Sequence, residues 1–187
     1  SSAARSLARA HVARAREDAA WLPEAEFAAA LEDLGSDPLA VADRFGCSPL
    51  AAMRRMAGAA GMQAGLVACD GSGTLIFRKP ATGFPLPRFG SACPLWPLYA
   101  ALGRPMQPVE ARVQMVGQSD RRHRVVAWGE VRHPQGLRGP ELREAAMLIL
   151  PDDGDGPVTR IGSSCRVCAR GDCPARREPS ILAAEGV

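Results

Sequence analysis

Three cysteines close together near the C-terminus are the residues best suited to chemistry. Cys165, Cys168 and Cys173 form a C-x2-C-x4-C run. Thiolates at C-x2-C spacing can bind one metal centre together, and a third thiolate a few residues later can complete one face of the site. Three thiolates are one ligand short of a tetrahedral set, and Cys93 is the best candidate for the fourth. The sequence therefore predicts a metal centre that ties the tail to the middle of the chain.

The spacing of these cysteines leaves the identity of the metal open. Zinc and iron–sulfur clusters are both held by sets of four thiolates. Proline directly follows Cys93 and Cys173, which is similar to the Cys-Pro ending of some iron–sulfur ligand runs. Cys47 and Cys69 lie in apolar helix and strand contexts, and this indicates small buried residues instead of ligands.

A second group of residues could bind a small molecule. The segment 80–92, rich in glycine and proline, holds Phe84 and Phe89 and leads to Trp96. Aromatic side chains in an irregular segment often line a pocket. The alternative is ordinary core packing, above all for Trp96 and for Trp128 in a later strand.

Basic residues flank this aromatic segment. They are Arg78, Lys79 and Arg88, with Arg121, Arg122 and Arg124 further along the chain. Arginine pairs well with phosphate, so an apolar slot with an arginine rim would suit a ligand with a phosphate head and an acyl tail. The alternative is a solvated charged face. The predicted ligand-binding residues are Phe77, Arg78, Phe84, Arg88, Phe89 and Trp96.

The composition places the chain among globular proteins and excludes several other classes. Its 187 residues can bury a core, and 47% apolar content with 23% charge argues against wholesale disorder. No run of 18 apolar residues predicts a membrane span, and neither a signal peptide nor an initial methionine is present. We expect a cytoplasmic piece of a longer protein. The three histidines lie far apart and no catalytic motif stands out, so we predict no enzyme activity.

The first 60 residues are predicted to be helical. Asp37-Pro38 and Ser48-Pro49 are N-cap and first-turn pairs that begin two short helices, with Gly46 ending the first of them. Together, residues 37–58 have the rhythm of a helix-turn-helix. This pattern indicates either DNA contact through Arg54 and Arg55 or structural helix packing.

Strand patterns replace the helical ones from Gly61 onwards. A hairpin is predicted around residues 70–73, and a helix from Pro94 to Leu102 precedes three further strands at 109–116, 124–131 and 145–150. One helix among strands in antiparallel order predicts an α+β domain of the sensor type.

Several motifs in this second region match a known family. They are Gly83-Phe84, Phe89-Gly90, Cys93-Pro94-Leu95-Trp96 and the tail 162–176, which contains the clustered cysteines. They resemble the C-terminal half of the short-chain fatty acyl-CoA transcriptional regulators, which are bacterial regulators of propionate- and acetate-type carbon metabolism. Residues 1–60 are similar to the metallopeptidase-like middle region of those proteins, without the peptidase zinc motif. That region is therefore expected to be a non-catalytic remnant.

The resemblance implies a function, a fold and a set of ligands. Residues 61–187 would be a GAF-like sensor domain that binds a short-chain acyl-CoA. Cys93, Cys165, Cys168 and Cys173 would hold a [4Fe-4S] cluster, which raises that option above zinc. DNA would be bound only by an Xre-type helix-turn-helix domain that precedes this region in full-length members, and we expect a homodimer. The alternatives are a zinc-stapled interaction module without a small ligand and an enzyme that uses acyl-CoA.

Overall fold

Helices precede most of the strands in the computed structural model of the protein, which describes residues 1–88, 91–117 and 121–182. The helices are α1 (Ser2–Trp21), α2 (Glu24–Leu34), α3 (Pro38–Phe45), α4 (Pro49–Gly58) and α5 (Pro97–Gly103). The strands are β1 (Gly65–Asp70), β2 (Leu75–Lys79), β3 (Val109–Met115), β4 (Arg122–Arg132), β5 (Leu142–Asp152) and β6 (Thr159–Ile161). The predicted α+β class is confirmed. The chain divides into two compact units, Ser1–Met62 and a second unit that begins at Gln63.

The helical unit begins its short helices where the sequence predicts them. Asp37 caps α3 by accepting hydrogen bonds from the backbone N–H groups of Leu39 and Ala40, and Ser48 caps α4 in the same way. Gly46 ends α3 in the left-handed conformation at φ 61°, which glycine adopts without steric cost. Packing of α3 against α4 then buries the core of this unit, including Val41, Met53 and Met56.

The second unit is built around one six-stranded sheet in the order β2-β1-β5-β4-β3-β6. Its centre is the pair β4 and β5, which run antiparallel over eleven residues each. The antiparallel prediction holds for β1 to β5, but β6 pairs parallel with β3 and was not predicted. This short parallel strand matters because it leads directly into the cysteine tail.

Helix α5 packs on the sheet over β3, β4 and β5. The approach is close at Gly129, because a Cβ atom there would collide with the carbonyl oxygen of Ala101. The helix begins at Pro97, three residues later than predicted, since residues 93–96 form a turn in which the Trp96 N–H donates to the Cys93 carbonyl. Cys93 therefore lies in a turn that leads into α5.

Within the described ranges, no helix combines the length and the apolar character needed to cross a membrane.

Candidate functional site

The four cysteines predicted as metal ligands line one small cavity. Cys93 lies in the turn before α5, Cys165 opens a single 3₁₀ turn, and Cys168 directly follows that turn. Cys93, Cys165 and Cys168 are buried and Cys173 is half-buried. Two segments separated by about 70 residues of sequence thus contribute thiols to one cavity, and metal binding by these four cysteines remains a prediction.

Hydrogen bonds fasten the tail to the turn that carries Cys93. The Cys93 backbone N–H donates to the Ser163 carbonyl at 2.9 Å, and the Trp96 indole Nε1 donates to the Gly162 carbonyl at 2.7 Å. Further along the tail, the Arg177 guanidinium donates to the carbonyl of Ala92 at 2.8 Å. These bonds link the two cysteine segments to each other.

Arg176 forms several hydrogen bonds within the tail. Its guanidinium donates to the carbonyl oxygens of Cys165 and Cys168, each at 3.3 Å, and also to that of Arg170. Arg176 and Arg170 line the cavity together with Arg160. Three guanidinium groups around four thiols would offset the negative charge of thiolates, which is the form that binds metal.

The donor set fits a metal centre. Four thiols are the ligands of zinc sites and of iron–sulfur clusters. Gly162 makes room for one of them, because a Cβ atom at that position would lie 2.9 Å from the Cys168 sulfur. Burial raises the pKa of the Cys93 thiol, so without a metal it remains protonated at neutral pH.

The four cysteines line a common cavity without forming a closed metal site. In the part of the chain that the structure describes, no group of three or more His, Cys, Asp or Glu side chains is arranged to hold a metal ion. The group that these cysteines would hold is therefore inferred from the chemistry of the donor set.

The two remaining cysteines do not line this cavity. Cys69 is fully buried in β1, where burial raises its pKa to about 12, so it is a protonated core thiol. Cys47 is half-buried in the helical unit, and its pKa is also raised, mainly by burial. Both thiols have the properties of structural residues.

The predicted ligand-binding residues are only partly accessible. Phe84 and Trp96 are each 1% exposed and pack edge-to-face in the core, with ring centroids 5.3 Å apart. Phe77 is half-buried, Arg88 is exposed, and Arg78 donates to the Pro87 carbonyl at 3.1 Å. Phe89 lies outside the described residues. The packing of Phe84 and Trp96 removes them from any open slot, and ligand binding by the six residues remains a prediction.

A larger cavity of about 290 Å³ lies elsewhere in the same unit and includes none of those six residues. It is formed by the turn after β2, the start of β4 and the end of β5, and its lining includes Arg121, Arg122, His123 and Asp152. Sequence reasoning identified the two arginines as basic residues but missed His123 and Asp152. His123 and Asp152 come to the same cavity because β4 and β5 pair in a register that places Arg122 opposite Asp152.

The two arginines considered for DNA contact have partners within the helical unit. Arg54 forms a bidentate ion pair with Asp18, with N–O distances of 2.6 and 2.8 Å. Asp18 is only 5% exposed. Arg55 donates to the Leu22 carbonyl and to Glu24, and its guanidinium lies over the ring of Phe27 at 5.1 Å. These contacts favour structural helix packing for residues 37–58.

Residues 53–185 match the family described as short-chain fatty acyl coenzyme A regulator, C-terminal. The chain belongs to this family, which confirms the resemblance identified from the sequence.

Named relatives of the chain are transcriptional regulators. A propionyl-CoA carboxylase regulator of Cereibacter sphaeroides is 31% identical over an alignment 196 residues long. The alignment covers 95% of this chain and 42% of the relative. The HTH-type transcriptional regulator PrpR of Mycobacterium tuberculosis is 30% identical over 97% of this chain and 41% of its own length. The HTH-type regulator RamB of the same organism is 34% identical over 133 residues, which cover 62% of this chain and 27% of RamB. The chain thus spans less than half the length of these relatives.

A solved structure shares the fold over the whole chain. It is a Mycobacterium tuberculosis transcriptional regulator, with a TM-score of 0.82 and 28% sequence identity, aligned over 100% of this chain and 62% of the other. The helices followed by the six-stranded sheet are therefore a fold that occurs in transcriptional regulators.

Proposed function

We propose that the chain is the effector-sensing part of a cytoplasmic transcriptional regulator, that it carries a [4Fe-4S] cluster and that it responds to a short-chain acyl-CoA. The observation that carries the cluster is the single cavity lined by Cys93 and the three tail cysteines. Family membership supports the acyl-CoA effector and the role in short-chain fatty acid metabolism.

The sequence around the cysteines favours a cluster over a single zinc ion. Proline directly follows Cys93 and Cys173, as in some iron–sulfur ligand runs, whereas four thiols alone suit either group. The three arginines that line the cavity would offset the negative charge of a thiolate-bound cluster. When bound, such a cluster would supply a rigid link between the tail and the turn at Cys93, and it could accept one electron.

The runner-up is a zinc-stapled interaction module, because a set of four cysteines also suits zinc. Anaerobic purification separates the two proposals. A [4Fe-4S] protein is brown and contains about four iron atoms per chain. A colourless protein with one zinc per chain and no iron would instead support the interaction module.

For the acyl-CoA site, Arg88 offers the clearest test, because it is exposed and no contact among the described residues uses its charge. Arg88→Ala is expected to weaken binding of propionyl-CoA and of free CoA alike, by roughly tenfold, since an arginine would contact the shared phosphates. Isothermal titration calorimetry measures both affinities. Arg138→Ala, at another exposed arginine, is the matched control, and unchanged CoA binding by Arg88→Ala would exclude this arginine from the site.

Sequence-specific DNA binding is expected to require a further domain. The arginines of α4 are engaged within the helical unit, so this chain offers little to read base edges. In a gel shift at physiological salt, the 187-residue chain should give only weak, sequence-independent binding. Tight and selective shifting that Arg54→Ala and Arg55→Ala abolish would contradict this and would identify α4 as a recognition helix. In the whole regulator, we propose that a homodimer positions two DNA-binding domains and that the effector changes their spacing.

A further inference from the structure

The 290 Å³ cavity of the sheet unit has the size of a small-molecule site. Pockets for small ligands begin at about 300 Å³, whereas a single buried water needs a small fraction of that. Its lining is about half polar, and the polar side chains include Thr82, Arg121, Arg122, His123, Asp152 and Asp153. Such a cavity suits a polar metabolite of modest size.

One buried polar atom at this cavity has no partner. Within the described part of the chain, the buried side-chain nitrogen and oxygen atoms without a hydrogen bond are His123 Nδ1 and Asp152 Oδ2, and of these Asp152 Oδ2 is ion-paired with Arg112 Nε at 3.1 Å. His123 Nδ1 is left without a partner, and His123 lines the cavity. Buried polar atoms are nearly always paired, and an exception indicates a missing water or ligand. The unpaired Nδ1 makes the cavity a candidate site in its own right.

The unpaired ring nitrogen is available as a hydrogen-bond acceptor. The other imidazole nitrogen, Nε2, lies 3.0 Å from the Thr82 carbonyl, which can only accept, so Nε2 carries a proton, and in the tautomer protonated there Nδ1 accepts. A ligand that satisfies Nδ1 of this tautomer must bring a hydrogen-bond donor.

The other side of the cavity offers cationic donors. Arg121 and Arg122 form no ion pair within the described residues, and both are exposed at the cavity. Gly83, at φ 77°, allows Arg121 to lie against the turn, because a Cβ atom on that glycine would be 2.5 Å from Arg121 Cδ. Two unpaired guanidinium groups attract an oxyanion.

We propose that this cavity binds a small anion that also carries a hydroxyl group, either a hydroxycarboxylate or a hydroxylated phosphate ester. The oxyanion would pair with Arg121 and Arg122, and the hydroxyl would donate to His123 Nδ1. The proposal goes beyond the acyl-CoA function and does not depend on it. It gives the sheet unit a second effector site, separate from the cysteine cavity.

Matched ligand pairs test the requirement for a hydroxyl group. Titration calorimetry would use L-malate and succinate, which differ in one hydroxyl, and glycerol 3-phosphate for the phosphate class. We expect malate or glycerol 3-phosphate to bind, with malate at least about fivefold tighter than succinate if the anion is a carboxylate. Binding of glycerol 3-phosphate alone would assign the phosphate class. Equal affinity for malate and succinate, or no binding of any of the three at millimolar concentration, would overturn the proposal.

Two variants separate the roles of the lining residues. Arg121→Ala should lower the affinity for the anion by about tenfold. Arg138→Ala, at an exposed arginine, should leave that affinity unchanged. His123→Gln keeps a donor for the Thr82 carbonyl but removes the Nδ1 acceptor, so it should reduce affinity for the hydroxylated ligand to that of its deoxy partner. Thermal melting confirms that each variant folds. Equal binding by all three variants would place the ligand outside this cavity.

Discussion

Replacement of Cys93 with serine is expected to remove most of the iron from the anaerobically purified protein and to lower its thermal stability. Cys93 is the ligand candidate that comes from outside the tail, and metal binding to such a site is coupled to folding. Iron–sulfur clusters are held by cysteine thiolates, and a serine hydroxyl is a weaker ligand. The same result is expected for Cys165→Ser, Cys168→Ser and Cys173→Ser. Iron content per chain and visible absorption measure the first effect, and a thermal melt measures the second.

The chain provides its own controls for this experiment. Cys47→Ser and Cys69→Ala change thiols that do not line the cavity, and both should retain full iron. Alanine is a better replacement than serine at Cys69, because burying a serine hydroxyl at this fully buried position would cost stability. A Cys93→Ser protein with a full cluster beside a Cys69→Ala protein without one would show that the fourth ligand has been wrongly assigned.

Local sequence signals were sufficient for the helices that start at residues 38 and 49. Asp37-Pro38 and Ser48-Pro49 each place a capping oxygen before a residue whose φ angle already suits a helix, so their effect is confined to one turn. Helix α5 was placed too early for a related reason. Pro94 and Pro97 are both possible first residues of a helix, and the bond from the Trp96 N–H to the Cys93 carbonyl belongs to a turn that only the folded structure reveals.

Features that depend on residues distant in sequence could not be predicted from local patterns. Strand β6 has only three residues and gains its place by pairing parallel with β3, which no local pattern encodes. Phe84 lies in an irregular segment, where a pocket role was predicted, yet it is buried. The turn from Ala81 to Phe84 folds its ring onto Trp96 and His123.

Of the two candidate sites, one was indicated by a local sequence pattern and the other depends on the folded structure. The tail cysteines are close in sequence, so their spacing alone indicated a metal centre, and the count of three pointed to a fourth ligand elsewhere. The cavity at His123 and Asp152 arises from strand register and from the turn at Thr82, so neither residue was distinctive in the sequence. An unpaired buried atom such as His123 Nδ1 reveals such a site only once the fold is known.

Packed rings connect the two cavities of the sheet unit. The His123 ring contacts the edge of Phe84 with centroids 5.3 Å apart, and Phe84 in turn packs on Trp96 at the same separation. Trp96 then donates its indole hydrogen bond to Gly162, three residues before Cys165. Trp96 therefore links the packed core of the sheet unit to the cysteine tail, and its substitution should affect both stability and metal binding.

Trp96→Ala is expected to destabilise the protein by about 3–5 kcal/mol and to lower its iron content. The transfer and cavity terms for a fully buried tryptophan give the stability loss. The metal effect follows because the tail loses one of the hydrogen bonds that hold Gly162 and the cysteines in place. Urea denaturation gives the free energy of unfolding, and iron analysis of the folded protein gives the metal content.

Trp96→Phe separates the two contributions of this side chain. Phenylalanine keeps a ring against Phe84 but leaves the buried Gly162 carbonyl without its donor, a loss of about 1–3 kcal/mol. If the hydrogen bond positions the tail, Trp96→Phe should release iron to a chelator faster than the wild-type protein does, and a core substitution far from the tail, such as Ile149→Val in β5, should not. Chelator-induced loss of visible absorption follows the release. Equal release rates for Trp96→Phe and wild type would show that Trp96 stabilises the core without positioning the cysteines.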